Sequence, residues 1–332
     1  MRIAHVIAAE FHRLSPATRV CLQQAATADR VELVRAVLDE LHAVTGLPTG
    51  YRVGGGAYYD SNPNVQVLKS LEAARFRKLA GDPPIVANWC CEVESWPRTY
   101  GSRSAQSILA EGFTGLMYGL DSVSAFVMAG GVESGELYAQ TLLRPLADAA
   151  PVLRGYAAAN VGTRVVGYAA PDASIDALYG FAREGVPVLP GVGTSLGTIP
   201  DDALKDNFTM MPSSAVQERR DGMDALARAP VLLTTPFVGL VVPRVDTNGT
   251  LRTVALLNTR IDVQGPVVLA LRNLPADVTS VIWRELRRPP VVLSVGRGDD
   301  GATVVIPEIG AWNGGYLDVR ILPDRWWSLP KK

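Results

Sequence analysis

At 332 residues the chain exceeds what one ordinary hydrophobic core organises, so two or three domains are expected. Hydrophobic residues make up 48% and charged ones 20%, with a formal net charge of -1, which leaves no electrostatic reason for nucleic acid or an anionic membrane as partner. No run of about 18 apolar residues suggests a membrane span. Three cysteines, Cys21, Cys90 and the adjacent Cys91, give no disulfide framework, so a reduced, cytoplasmic setting is expected.

In chain order, residues 18–24 read as a short strand. A helix is expected from about Asp29 to Ala43, where Val34, Val37, Leu38 and Leu41 share one face. Thr49–Val53 is a second short strand, running into Gly54-Gly55-Gly56-Ala57-Tyr58-Tyr59-Asp60, and a helix covers about Asn64 to Leu79. Residues 85–91 are apolar apart from Asn88 and are bounded by Gly81-Asp82-Pro83-Pro84, which is how a buried parallel strand reads. A helix from Ser102 to Glu111, closed by Gly112, precedes a strand over 113–120, and the pattern is helical again between about Glu133 and Leu153. Strands alternating with helices imply parallel pairing through right-handed crossovers.

From Gly162 the pattern changes: strand 164–169, helix 175–183 and strand 186–189 suggest a small α/β layer. The Gly-rich run Gly191-Val192-Gly193-Thr194-Ser195-Leu196-Gly197 lacks the Lys of a phosphate loop and reads as an ordinary loop. Beyond Arg228, short strands at 231–233, 238–242, 251–257, 267–271, 278–283, 291–295, 303–306 and 316–321 alternate with turn residues, including Asn248-Gly249. That spacing is the signature of an antiparallel β-sandwich.

The residues best placed for chemistry stand where the strand over 85–91 ends. Glu92 and Glu94 follow it, and in an extended chain they share a face. Acids at the carboxyl end of a buried parallel strand lie where α/β proteins bind ligands. A pair of carboxylates flanking a sugar ring performs glycoside hydrolysis, and Arg52, Tyr58, Tyr59, Asp60, Trp89, Trp96, Arg98 and Tyr118 gather near the predicted strand ends as candidate sugar-binding side chains. Solvated residues, or ion pairs with Arg98 and Arg103, are the plainer reading of the two glutamates. His5, His12 and His42 have no zinc-like spacing, no nucleophile elbow is present, and no metal or cofactor is expected. Cys90 and Cys91 read as small buried hydrophobes, and Lys69 as a helix-surface charge.

Two motifs carry a family resemblance. Arg52-x-Gly54-Gly55-Gly56-x-Tyr58-Tyr59-Asp60 and Cys91-Glu92-Val93-Glu94-Ser95-Trp96-Pro97-Arg98-Thr99-Tyr100-x-x-Arg103-Ser104 resemble the later half of bacterial (β/α)8 glycoside hydrolases of the β-galactosidase-like kind. The resemblance implies an α/β fold in three parts. A partial (β/α)8 TIM-type barrel of about four βα units spans 1–157, a small α/β layer 158–228, and a C-terminal antiparallel β-sandwich 229–332, closed by Ala311-Trp312-Asn313-x-Gly315-Tyr316-Leu317. It implies a retaining mechanism with Glu92, or else Glu94, as nucleophile, and a carbohydrate substrate. The family's acid/base glutamate follows an Asn on the fourth strand, which this sequence does not supply. Two readings of different class follow: a hydrolase whose chain associates with itself or with a complementing barrel half, and a non-catalytic fragment that binds carbohydrate or a subunit.

Overall fold

A computed structural model describes residues 49–53, 62–81, 86–94, 103–126, 139–199, 229–298 and 301–319. The expected strand over 18–24, the helix over 29–43, all three histidines and the end of the middle layer lie outside them. The described chain is mixed α/β and forms three sheets.

The first sheet is parallel, in the order β1 (Thr49–Val53), β2 (Val86–Glu94), β3 (Ser122–Phe126). Helix α1 (Pro63–Ala80) connects β1 to β2, and α2 (Ala105–Met117) connects β2 to β3. Local chemistry sets the bounds of both helices. Asn62 caps α1, its Oδ1 accepting the Asn64 N–H at 3.0 Å, Pro63 occupies the first turn, and Gly81 closes the helix at φ 76°. Ser104 caps α2 by accepting the Ser107 N–H at 3.1 Å.

Here the structure departs from the sequence reading. Gly112 does not stop α2, which runs on through the expected strand over 113–120 to Met117, and the strand lies instead at 122–126. Gly112 and Gly115 are there for close packing. A Cβ at 112 would come within 2.8 Å of Val123 Cγ1, and one at 115 within 2.8 Å of the Cys91 Cβ and Sγ. The true helix stop is Gly119, at φ +97°, after the C-cap Tyr118.

Beyond a π-helical turn at Ala139–Leu143 come α3 (Arg144–Ala159), β4 (Arg164–Ala169) and α4 (Ile175–Arg183). The expected strand over 186–189 is reduced to one parallel bridge from Val188 to Tyr168, whereas the Gly-rich run forms β5 (Thr194–Thr198), parallel to β4. The remaining strands are β6 (Val231–Leu233), β7 (Gly239–Val245), β8 (Leu251–Asn258), β9 (Val267–Leu271), β10 (Ser280–Glu285), β11 (Val291–Ser294), β12 (Gly296–Gly298), β13 (Gly301–Ile306) and β14 (Gly314–Asp318). A seven-stranded sheet orders them β11-β10-β14-β8-β7-β4-β5, and a four-stranded sheet β12-β13-β9-β6. The Asn248-Gly249 turn joins β7 to β8 as expected, with Asp246 Oδ1 accepting the N–H groups of Asn248 at 2.8 Å and Thr250 at 3.0 Å.

Side chains of β7, β8 and β14 alternate between two cores. Val241, Val254, Leu256 and Leu317 pack with Leu269, Val304 and Ile306 of the four-stranded sheet, forming the sandwich interior. On the opposite face Leu240, Val242, Ala255, Leu257 and Tyr316 meet α1, α2, α3 and α4. A third core, with Phe76, Trp89, Cys91, Val93 and Ile108, lies between α1, α2 and β2. The order of layers is therefore sandwich sheet, seven-stranded sheet, helices, parallel sheet.

Candidate functional site

β2 is the middle strand of the parallel sheet, and its alternation separates two environments. Trp89, Cys91 and Val93 face the helices and are buried. Asn88, Cys90 and Glu92 occupy the alternate positions. The registers set Cys90 opposite Ser122 on β3 and Glu92 opposite Ser124, with Arg52 on β1 opposite Cys90. Ser122 Oγ donates to Asn88 Oδ1 at 2.6 Å, so this face carries polar groups at Asn88, Ser122, Ser124 and Glu92, with Cys90 between Asn88 and Glu92. Glu92 itself is only 5% exposed, which sets it apart from the solvated carboxylate of the plainer reading.

Behind the end of β2 lies a buried ionic unit. Lys69 Nζ, on α1, is 2.6 Å from Glu111 Oε1 on α2 and donates to the main-chain carbonyl of Glu92 at 2.9 Å. Arg103, where the β2–α2 connection re-enters the described chain, donates to Glu111 Oε2 at 2.6 Å and to Ser107 Oγ at 3.3 Å. The side chains of Lys69, Arg103 and Glu111 are 2%, 3% and 0% exposed. Ser70 Oγ donates to the Glu111 carbonyl at 2.8 Å and touches Cys91 Sγ at 3.9 Å. Burial, with Glu111 as the next contribution, pushes the Cys91 thiol up to about 12, so at neutral pH it packs as a small hydrophobe, as expected.

The structure brings together some of the expected site residues and not others. Glu92 lies on the polar face, with Arg52 and Glu94 placed on β1 and β2 by their backbones. The side chains of Arg52 and Glu94, and all of Tyr58, Tyr59, Asp60, Trp96, Arg98 and Tyr100, lie outside the described residues. Trp89 and Tyr118 differ from expectation: both are core residues. Trp89 is fully buried, edge-on to Phe76 with ring centroids 6.4 Å apart and with the Arg77 guanidinium over its ring at 5.8 Å. Tyr118 caps the C-terminus of α2 at 2% exposure, and is not at a strand end. A ring with no open face offers nothing for a sugar to stack on. Arg103, weighed as a partner of the two glutamates, pairs with Glu111.

Lys69 is a correction. It is no surface charge, since the stripe Lys69, Ala73, Phe76, Ala80 is buried and faces β2. That spacing of four, three and four residues is helical, and was the available signal. Glu111 carried a comparable one, as a lone charge inside Ile108-Leu109-Ala110-Glu111-Gly112-Phe113. Among the described residues no group of three or more His, Cys, Asp or Glu is placed to hold a metal ion, and no helix is long and apolar enough to cross a membrane.

No protein-family model matches the chain, and no curated protein matches it. Among solved structures, the chain is similar to a rhamnosidase from Novosphingobium sp. PP1Y at 12% identity and a TM-score of 0.46. The match covers 90% of this chain and 39% of the rhamnosidase, so the chain spans well under half of that protein's length.

Proposed function

We propose that this chain is the later part of a (β/α)8-barrel glycoside hydrolase and that Glu92 is its nucleophilic carboxylate. The observation that carries this reading is a buried carboxylate on the polar face of the central strand of a parallel sheet whose other face is covered by its crossover helices. In a barrel that polar face is the interior, and its carboxyl end is where catalytic groups stand. The described sheet supports a barrel segment of successive βα units. The division into 1–157, 158–228 and 229–332 stays part of the proposal, with β4 bonded to β7 so that middle layer and sandwich share a sheet.

In the proposed reaction the Glu92 carboxylate attacks the anomeric carbon while the bond to the leaving oxygen breaks and a second carboxylic acid protonates that oxygen. Water then hydrolyses the glycosyl ester, with the second residue acting as base. Glu94 is the alternative nucleophile, and the acid/base comes from a complementing barrel half. Arg52, Tyr58, Tyr59, Asp60, Trp96 and Arg98 are proposed to contact the sugar. Open edges of an incomplete barrel would pair with another chain. Sedimentation velocity at micromolar concentration tests this, and a monodisperse monomer counts against it.

The decisive experiment is hydrolysis of a panel of nitrophenyl glycosides by the 332-residue chain, alone and with a candidate upstream half, beside Glu92→Gln and Glu94→Gln. Turnover that Glu92→Gln lowers by about 10³-fold or more, within the range seen when an essential catalytic group is removed, is expected. Turnover that survives both substitutions overturns the assignment. Sugar binding without turnover in either setting favours the non-catalytic reading.

A further inference from the structure

The buried unit of Lys69, Glu111 and Arg103 is costly by construction. Three charges leave water, and an apolar trio of the same volume packs equally well without that desolvation. Only the ionic unit supplies an N–H aimed at the end of β2. Among the described residues β1 pairs with β2 up to Val53 opposite Cys91, β3 pairs with it through Glu94, and Lys69 Nζ donates to the main-chain carbonyl of Glu92 at 2.9 Å. Glu111 holds the ammonium at 2.6 Å from α2. Arg103 holds the other carboxylate oxygen, also at 2.6 Å, from the point where the chain returns from β2 into α2. One carboxylate thereby ties α1, α2 and the end of the β2–α2 connection to the main chain of residue 92.

We propose that Lys69, Glu111 and Arg103 are positioning residues for Glu92. They hold the main-chain carbonyl of residue 92 and so fix the backbone from which the Glu92 carboxylate projects. Productive geometry in a carboxylate-dependent displacement demands placement to within about 0.5 Å, and a side chain inherits the freedom of its own main chain. The catalytic consequence rests on the function proposed above, whereas the mechanical consequence, a rigid strand end, does not.

The test uses the whole chain carrying Lys69→Met, Arg103→Met and Glu111→Leu together, which removes the unit without leaving an unpaired buried charge. Two readouts are taken: steady-state kinetics on the best glycoside, and amide hydrogen exchange. The expected result is a kcat at least tenfold lower with KM within twofold. Exchange should be faster at 91–94, while β8 exchanges as in the unmodified chain. An unchanged kcat overturns the catalytic role. If the unmodified chain turns over no sugar in any setting, the proposed function fails by itself, and exchange decides the inference: equal protection at 91–94 in both chains overturns it. Should the triple variant fail to fold, Glu111→Gln, which keeps shape and acceptor capacity but removes one charge, is read in the same two assays against the same outcomes.

Discussion

At the scale of single residues, adjacency in sequence does not mean similar chemistry. Cys90 and Cys91 are neighbours on β2, but Cys90 is half-buried and Cys91 lies under Gly115 and Ser70 at 1% exposure, with its thiol pushed up to about 12. Thiolate is the reactive form, so at pH 8 Cys91 has almost none of it. We expect iodoacetamide to modify Cys90 in the folded chain and to spare Cys91 until denaturant is added, as read by peptide mass spectrometry. Equal labelling rates would show that α2 does not seal this face of β2. The same alternation governs how much of the candidate site was legible. Glu92 and its neighbour on the strand were visible as acids after an apolar run. Lys69 and Glu111 were not, because a charge is ordinarily assigned to solvent and only its place on a buried stripe says otherwise.

At the scale of elements, the contact between α2 and the parallel sheet depends on two missing side chains, Gly112 against Val123 of β3 and Gly115 against Cys91 of β2. Alanine at position 115 meets the Cys91 Cβ and Sγ at 2.8 Å, with Leu120 Cδ1 at 3.3 Å on another side, so the helix and strand must move apart. Overpacking of this kind costs about 1–3 kcal/mol, against roughly 1 kcal/mol gained in helix propensity. Gly115→Ala is therefore expected to destabilise the chain by up to about 2 kcal/mol in urea unfolding, and a stabilised variant would place the helix farther from the strand. These two glycines also explain the largest misreading of the fold. Gly112 looked like a helix stop because stops and close approaches both select glycine, and a sequence does not distinguish them. The sandwich strands were legible because turn residues punctuate them at short intervals and each apolar run is too short for a helix. What the runs Leu240-Val241-Val242 and Val254-Ala255-Leu256-Leu257 also signalled is that both faces of the sheet are covered, by the four-stranded sheet on one side and helices on the other. β4 joins the sandwich sheet by pairing with β7, and β5 by pairing with β4.

At the scale of the whole molecule, these layers meet through buried groups that ionise only at high pH. Burial raises the phenols of Tyr118, Tyr156 and Tyr179, all in the core between helices and seven-stranded sheet, and Cys91 is raised on the other side of α2. Tyr156 is the joint of this core, with ring centroids 5.3 Å from Phe113 of α2 and 5.0 Å from Tyr316 of β14. Arg244 of β7, itself lowered by burial, reaches from the sheet to Thr163 Oγ1 at 2.9 Å. The sign of the pH effect follows from linkage. A group whose pKa is higher folded than unfolded keeps its proton in the folded state while the unfolded chain releases it, so unfolding gains as pH rises. These contributions are complete below the unfolded values, about 8.5 for Cys and about 10 for Tyr, and are lost above them at about 1.4 kcal/mol per pH unit for each group. We therefore expect a melting temperature that is insensitive to these four groups up to about pH 8.5 and falls with increasing steepness beyond about pH 10. Tyrosinate absorbance should report the three phenols appearing together with loss of near-ultraviolet circular dichroism, because they cannot ionise in place. A tyrosinate rise that accounts for all ten tyrosines over an intact dichroism signal would mean that water reaches Tyr156, and that helices and sheet do not share the closed core on which the layer order depends.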